Sequence, residues 1–276
     1  MQPKTILAIV NGQTDMERVL AVAAPLSRRF GAQLGAIHAE ALPMPTASPM
    51  GFPDTGMLEA SITVARDNSR QLKAAFDASP YASTVSWKNA EGFSGDSTRS
   101  VARAARAADL VVVQQADPDG AVPFPSGETL VFETGRPVLF VPFSGTVDTR
   151  FRKAVVAWNG SAEAARAAFD ALPFLVEADA VSILCVDPRS EPGDPDELAG
   201  ADIAEALRRH GVKATVVTEV SAGLSAGATI ENHLAGSGAD LLVMGAYSQS
   251  WLKEFFFGGA TRTLLSSMPV ATLMSR

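Results

Sequence analysis

The sequence predicts an α/β protein made of two tandem, doubly wound parallel-sheet domains. Short apolar runs of strand length alternate along the chain with segments of helical periodicity. Landmarks of the first half recur in the same order in the second half, which indicates an internal duplication. Strands separated by helices imply right-handed crossovers and a parallel sheet that helices cover on both faces.

The duplication is carried by three pairs of segments, each separated by about 130 to 150 residues. The pairs are Ala108–Val113 with Ala239–Met244, Arg136–Leu139 with Met268–Ala271, and Ile6–Gly12 with Val155–Gly160. We therefore expect two copies of one unit, residues 1–147 and 148–276, joined near Ser144–Arg152.

Each element of the second copy follows from its pattern. The apolar runs predict strands at Ala154–Trp158, Ala180–Val186, Ala214–Val220, Leu241–Gly245 and Val270–Met274. Helices are expected after an N-cap at Ser161, over Asp196–Arg209 up to Gly211, over Ala228–Ala235 and around Thr261–Ser267.

The first copy shows the same alternation of strands and helices. Thr14, with Glu17 three residues later, predicts a capping box before its first helix. The proline-rich segment Leu42–Met57 predicts an irregular surface loop, with a flap over a ligand or partner as the alternative.

Composition excludes several classes of protein. The 276 residues are 47% hydrophobic and 19% charged, which is typical of a globular chain and not of a disordered one. A net charge of −7 without a Lys/Arg block argues against nucleic acid as a partner, and no apolar run is long enough to cross a bilayer. Cys185 is the single cysteine, so we expect a reducing, cytoplasmic compartment and a buried structural thiol.

Candidate ligand-binding residues follow the predicted strands, where ligands of open α/β sheets bind. Asn11 and Asn159 each end a first strand and precede a glycine; such an asparagine can bind a base or ribose edge, or simply form a turn. Gly245 and Ser248 follow a fourth strand, and Gly258–Thr261 precedes a helix. Glycine amides at a helix N-terminus form a candidate phosphate cradle.

The segments Met244–Ser248, Gly258–Thr261 and Pro269–Val270 resemble the nucleotide loop of the universal stress protein family. That loop is a glycine, two residues, a second glycine, nine residues, and Gly-Ser/Thr. The whole chain resembles a tandem member with an adenine nucleotide alpha hydrolase-like fold. The resemblance implies a stress-response protein that binds ATP or another adenine nucleotide. It also implies an internal pseudo-dimer through the last strands, Val138–Phe143 and Val270–Met274, and is compatible with a homodimer of chains.

The resemblance also implies which residues bind the nucleotide. They are Asn159, Val186, Gly245, Ser248, Gly258, Gly259, Ala260 and Thr261. Asn159 replaces the family's acidic residue, Ser248 its second glycine, and Gly259 its serine. Because the first half keeps only Gly127 of the loop and carries prolines and aspartates between residues 117 and 126, we expect it to bind no nucleotide.

Enzyme functions fit the sequence less well than this binding function. Gly223–Gly227 matches G-x-S-x-G, but only His233 follows Ser225, on the very next helix, so an esterase is disfavoured. Without a Walker lysine we expect at most slow ATP hydrolysis, and neither catalytic nor metal residues are assigned. The main alternative is an interaction protein of the same fold whose nucleotide sites have decayed.

Overall fold

The computed structural model describes residues 2–42, 55–116, 127–188, 199–246 and 269–276. The described residues form one ten-stranded sheet. Its strands are β1 (Thr5–Val10), β2 (Gln33–Leu42), β3 (Ser86–Phe93), β4 (Leu110–Gln114), β5 (Val138–Val141), β6 (Lys153–Ala157), β7 (Ala180–Val186), β8 (Ala214–Glu219), β9 (Leu241–Gly245) and β10 (Ala271–Ser275).

The helices cover both faces of this sheet. They are α1 (Gln13–Phe30), α2 (Thr55–Asp77), α3 (Ser94–Arg106), α4 (Gly127–Thr134), α5 (Ala162–Asp170), α6 (Leu172–Leu175), α7 (Ala201–Arg209) and α8 (Ala226–Ser237). One core cluster packs α1, α2, α5, α6 and α7 on one face, and a second packs α3, α4 and α8 on the other. Of the helices within the described ranges, none has the length and apolarity that a membrane crossing needs.

Both halves of the sheet have the same strand order. The order across the sheet is β3-β2-β1-β4-β5-β10-β9-β6-β7-β8. Pairs within each half are parallel, and β5 pairs with β10 antiparallel, with Leu139 opposite Leu273. The predicted pairing of the last strands is therefore confirmed. Four of the five residues of β4 and of β9 are buried, which explains why the sequences of both strands are continuous apolar runs.

The element bounds agree closely with the sequence prediction where the pattern was uninterrupted. β7 and β9 have the predicted limits, and β6, β8 and β10 differ by one residue at their ends. The helix α7 begins at Ala201, five residues later than expected, and the predicted helix at Thr261–Ser267 lies outside the described residues. The proline-rich segment also lies outside them from residue 43 to residue 54.

The predicted capping box at Thr14 and Glu17 is wrong. The N-cap of α1 is Gly12, and the residue at N3 is Asp15. The Asp15 carboxylate accepts hydrogen bonds from the backbone N–H of Asn11 at 2.7 Å and of Gly12 at 2.6 Å. The helix therefore begins two residues earlier than the Thr-x-x-Glu pattern indicated, because a buried aspartate satisfies the amides before it.

An aromatic cluster joins the halves away from the central strands. The ring of Phe174 makes edge-to-face contacts with Phe30 and Phe151, with both centroid distances at 5.5 Å. Phe151 is fully buried and has a φ of 48°, a conformation that bulky side chains rarely adopt. Its burial holds the connecting segment in place between α1 and α6.

The repeated Ala-Asp-Leu segments have the same structural role in both halves. Asp109 accepts hydrogen bonds from the backbone N–H of Lys4 and Thr5, at 2.8 and 3.0 Å. Asp240 accepts from Arg152 and Lys153 at 2.9 and 3.0 Å. Each aspartate, just before a fourth strand, thus satisfies the amides that begin the first strand of its own half.

We predict that Asp240→Ala lowers the free energy of unfolding by about 2 kcal/mol, since two backbone amides lose a charged acceptor. The control is Asp179→Ala. Asp179 forms an exposed ion pair with Arg152 at 3.9 Å, and its loss should cost under about 0.5 kcal/mol. Urea denaturation measures both. Equal effects of the two substitutions would contradict the assigned role of Asp240.

The segment between the halves contains a charged turn. Asp148 accepts hydrogen bonds from the backbone N–H of Arg150 at 3.0 Å and from Nη2 of its guanidinium at 2.6 Å. The Arg150 side chain is the main cause that lowers the pKa of Asp148 from 3.8 to about 2. Because the folded pKa is depressed, this turn stabilises the fold above pH 3.8, and the contribution disappears as the pH falls toward about 2.

We therefore predict that Asp148→Asn weakens the pH dependence of unfolding between pH 3.8 and about 2. Chemical denaturation across this range, at low and high salt, measures it. The difference between the variant and the wild type should shrink at high salt, because both partners are exposed. Identical slopes for the two proteins at low salt would disprove the prediction.

Candidate functional site

Each half has one switch point, which is the strand at which the strand order reverses. β1 lies between β2 and β4, and β6 lies between β7 and β9. The carboxyl ends of such neighbouring strands enclose a crevice, which is where open α/β sheets bind ligands. The fold therefore provides two candidate crevices, one at β1 and β4 and one at β6 and β9.

The second half brings three predicted site residues to one edge. Ala157 is opposite Leu184 on one side and Met244 on the other. The residues that follow, Asn159, Val186 and Gly245, consequently lie at the carboxyl ends of adjacent strands, which are about 4.8 Å apart. The other predicted residues, Ser248, Gly258, Gly259, Ala260 and Thr261, lie outside the described residues.

Asn159 forms a turn at the entrance to α5. Its Oδ1 accepts a hydrogen bond from the Ser161 backbone N–H at 3.1 Å, and Gly160 between them has a φ of 73°. Ser161 Oγ accepts from the Ala164 N–H at 3.1 Å, so the predicted N-cap is confirmed. These bonds fix the first turn of α5 beside the crevice, where the helix dipole favours an anion.

Gly245 permits a close helix–strand approach. A Cβ at this position would lie 2.5 Å from the carbonyl carbon of Glu163 and 2.9 Å from Cα of Ala164, both in α5. The first turn of α5 thus packs directly on the end of β9. This close packing alone explains why position 245 is a glycine. That Gly245 also forms part of a phosphate cradle remains a prediction.

Two polar groups at this edge were not identified from the sequence. Ser275, opposite Gly245 at the end of β10, is 1% exposed, and its Oγ has no hydrogen-bond partner. Asp187 follows Val186 and accepts a hydrogen bond from the Ser221 N–H at 3.0 Å. Hydrogen bonds from Ser221 lower the pKa of Asp187. A serine in an apolar strand gives no sequence signal, because only the sheet register brings it beside Gly245.

The described residues give the esterase candidate Ser225 and the thiol of Cys185 structural roles. Ser225 is the N-cap of α8, with its Oγ accepting from the Ala228 N–H at 3.2 Å, and His233 lies two helical turns further on. Cys185 is buried as predicted, its Sγ–H donates to the Ala199 carbonyl at 3.3 Å, and burial raises the pKa of the thiol. Within the described ranges, acidic, histidine and cysteine side chains do not cluster in threes as a metal site requires.

The alternating strands and helices, with a crevice at each switch point, define a doubly wound α/β protein. Residues 150–276 match the model of the universal stress protein family, so the second half of the chain is a universal stress protein domain. A search of curated protein sequences finds no match to the chain.

One solved structure is similar in fold over the whole chain, and shorter ones match part of it. A universal stress protein from Archaeoglobus fulgidus aligns over 100% of this chain and 97% of its own, with a TM-score of 0.68 and 15% identity. A protein of the family from Burkholderia pseudomallei aligns over 46% and 97%, with a TM-score of 0.31 and 19% identity. A universal stress protein in complex with cAMP aligns over 52% and 100%, with a TM-score of 0.31 and 18% identity.

We predict that Gly245→Ala lowers the free energy of unfolding by about 1–3 kcal/mol, because the new methyl group meets the backbone of α5. Gly236→Ala is the matched control. Gly236 lies inside α8 with open space around it, so alanine should raise stability by about 0.5–1 kcal/mol. Thermal and urea unfolding measure both. A neutral Gly245→Ala would show that α5 does not pack closely on β9.

Proposed function

We propose that this protein is a cytoplasmic stress-response protein and that its second half binds an adenine nucleotide, namely ATP. Residues 148–276 form the binding domain, and residues 1–147 form a degenerate partner domain that binds no nucleotide. The site consists of Asn159, Val186, Gly245, Ser248, Gly258, Gly259, Ala260 and Thr261.

The proposal rests on which residues lie together at the switch point of the second half. Asn159, Val186 and Gly245 end adjacent strands there, inside a universal stress protein domain. The capped N-terminus of α5 adds partial positive charge beside the crevice, and Ser275 supplies a buried hydroxyl without a partner. A ligand with a phosphate chain and a ribose fits such a combination of amides and hydroxyls.

A second candidate is an interaction protein of the same fold whose nucleotide sites have decayed. Two contacts favour this candidate, because each gives a predicted site residue a structural role. Oδ1 of Asn159 accepts a hydrogen bond from the Ser161 N–H, and Gly245 packs against α5. In this case the edge would be a structural remnant, and the protein would act through its surface.

Calorimetric titration with ATP separates these candidates. We expect one site per chain in the wild type and at least about tenfold weaker binding in Gly258→Asp, because a carboxylate repels the phosphates. Gly236→Asp adds the same charge at the C-terminal end of α8, which leads into the amino end of β9 and not the carboxyl end, so this variant should bind as the wild type does. No heat with the wild-type protein would favour the decayed-site candidate. Phosphate release above a buffer control would indicate slow ATP hydrolysis.

A further inference from the structure

Arginine side chains gather on one surface of the first half, at the amino ends of β4 and β5. Arg103 and Arg106 lie one turn apart on the same face of α3, near its end. Arg136 lies in the turn between α4 and β5, and Arg276 follows β10, whose antiparallel register with β5 places it level with Arg136. We call Arg103, Arg106, Phe132, Arg136 and Arg276 the arginine surface.

Contacts join these residues into one continuous surface. Nε of Arg106 donates to the Glu133 carbonyl at 3.0 Å, and Nε of Arg136 donates to the Arg106 carbonyl at 3.0 Å. Cζ of Arg276 lies 4.5 Å from the centre of the Phe132 ring, and Phe132 precedes Glu133 in α4. The end of α3, the end of α4 and the end of β10 therefore present this surface together.

The guanidinium groups are oriented but only partly neutralised. Because Arg106 and Arg136 donate to carbonyl oxygens through Nε, each keeps its Nη groups for other acceptors. Arg106 Nη2 lies 3.7 Å from Glu133 Oε2, which is a long and exposed ion pair. Among the described residues, the side chain of Arg103 and the Nη groups of Arg136 have no hydrogen-bond or ion-pair partner. The nearby Asp109 is occupied by the amides that begin β1, so the surface carries a net positive charge.

Phe132 gives the surface an apolar centre. It is 41% exposed, whereas its neighbours Leu130 and Val131 in α4 are buried. The guanidinium of Arg276 covers one face of its ring. An exposed aromatic ring among arginines is typical of protein–protein interfaces, in which aromatic residues and arginine are enriched and lysine is depleted.

The second half provides an internal comparison. Its helix α8 has the place that α3 has in the first half, and it contains neither lysine nor arginine. In the repeated segments, Ser237 stands where the first half has Arg106, and Met268 stands where it has Arg136. The α/β unit therefore folds without these arginines, and the shared fold does not explain them.

The chemistry of the surface favours a short acidic polypeptide as its partner. A guanidinium pairs with a carboxylate through two parallel hydrogen bonds, and an apolar side chain can pack on Phe132. A nucleic acid or an anionic membrane extends well beyond four arginines and would meet the rest of a chain whose net charge is −7. A second copy of the chain would bring the same unfavourable charge.

We propose that the arginine surface binds an acidic segment of a partner protein. The segment has carboxylates on both sides of an apolar side chain. The carboxylates pair with the guanidinium groups of Arg103 and Arg136, and the apolar side chain packs on Phe132. This surface shares no residue with the nucleotide site proposed in the second half.

The test uses two fluorescein-labelled peptides, Glu-Glu-Leu-Glu-Glu and Glu-Glu-Ser-Glu-Glu, titrated with the full chain and followed by fluorescence anisotropy. In about 50 mM salt we expect the leucine peptide to bind with a dissociation constant below about 1 mM. The serine peptide should bind at least about threefold more weakly, because it loses the apolar contact. Raising the salt to about 300 mM should weaken binding of the leucine peptide at least about fivefold.

Variants locate the binding surface. Arg103→Glu should weaken binding of the leucine peptide at least about fivefold, because a carboxylate replaces an unpaired cation. Arg28→Glu is the matched control and should bind as the wild type does. The Arg28 side chain is also exposed near the end of a helix and without a partner among the described residues, but it lies on α1, across the sheet from α3.

A third variant tests the apolar contact. Phe132→Ser should remove the preference for the leucine peptide over the serine peptide. Its melting temperature should stay within about 3 °C of the wild type, because the ring is partly exposed.

Several results would overturn the proposal. They include no binding of either peptide, equal weakening by Arg103→Glu and Arg28→Glu, and an undiminished leucine preference in Phe132→Ser. Binding of phosphatidylserine vesicles or of oligouridylate in place of the peptides would assign the surface to a membrane or to RNA instead. A dimer in sedimentation that Arg103→Glu dissociates would assign it to a second copy. None of these measurements uses ATP, so this proposal and the nucleotide site fail independently.

Discussion

The antiparallel pairing of β5 with β10 determines the arrangement of the whole molecule. Each half is a parallel sheet, and this pair joins them with Leu139 opposite Leu273 in the buried centre. Because strand direction reverses across the pair, the carboxyl ends of the two halves lie at opposite edges of the sheet. The two crevices therefore open on opposite sides of the molecule, and a ligand in one cannot contact a ligand in the other.

The two halves retain a common framework and differ at their crevices. Asp109 and Asp240 hold the beginnings of β1 and β6 through the same pair of backbone hydrogen bonds. At the opposite ends of those strands, Asn159 closes a turn, whereas Asn11 leaves that role to Asp15. The framework bonds are local to each unit, so one crevice can change its chemistry without loss of the fold.

Apolar patterning was sufficient to predict β7 and β9, because strands buried on both faces have few alternatives. The pairing of the last strands followed from the family resemblance and not from the pattern. The start of α1 was not predictable from the Thr-x-x-Glu pattern, since the acceptor that satisfies its first amides is the buried carboxylate of Asp15, which lies between those two residues. Gly245 was correctly placed at a strand end, but its contact with α5 depends on tertiary packing. The buried, unpaired hydroxyl of Ser275 becomes apparent only when register and burial are known.

The described edges of the two crevices differ in how far they are prepared for a ligand. In the second half, the Asn159 turn, the Ser161 cap and the contact at Gly245 fix α5 against β9, so little ordering of that edge would accompany binding. In the first half, the Asn11 carboxamide and Oε1 of Gln114 are buried without a hydrogen-bond partner in the folded chain.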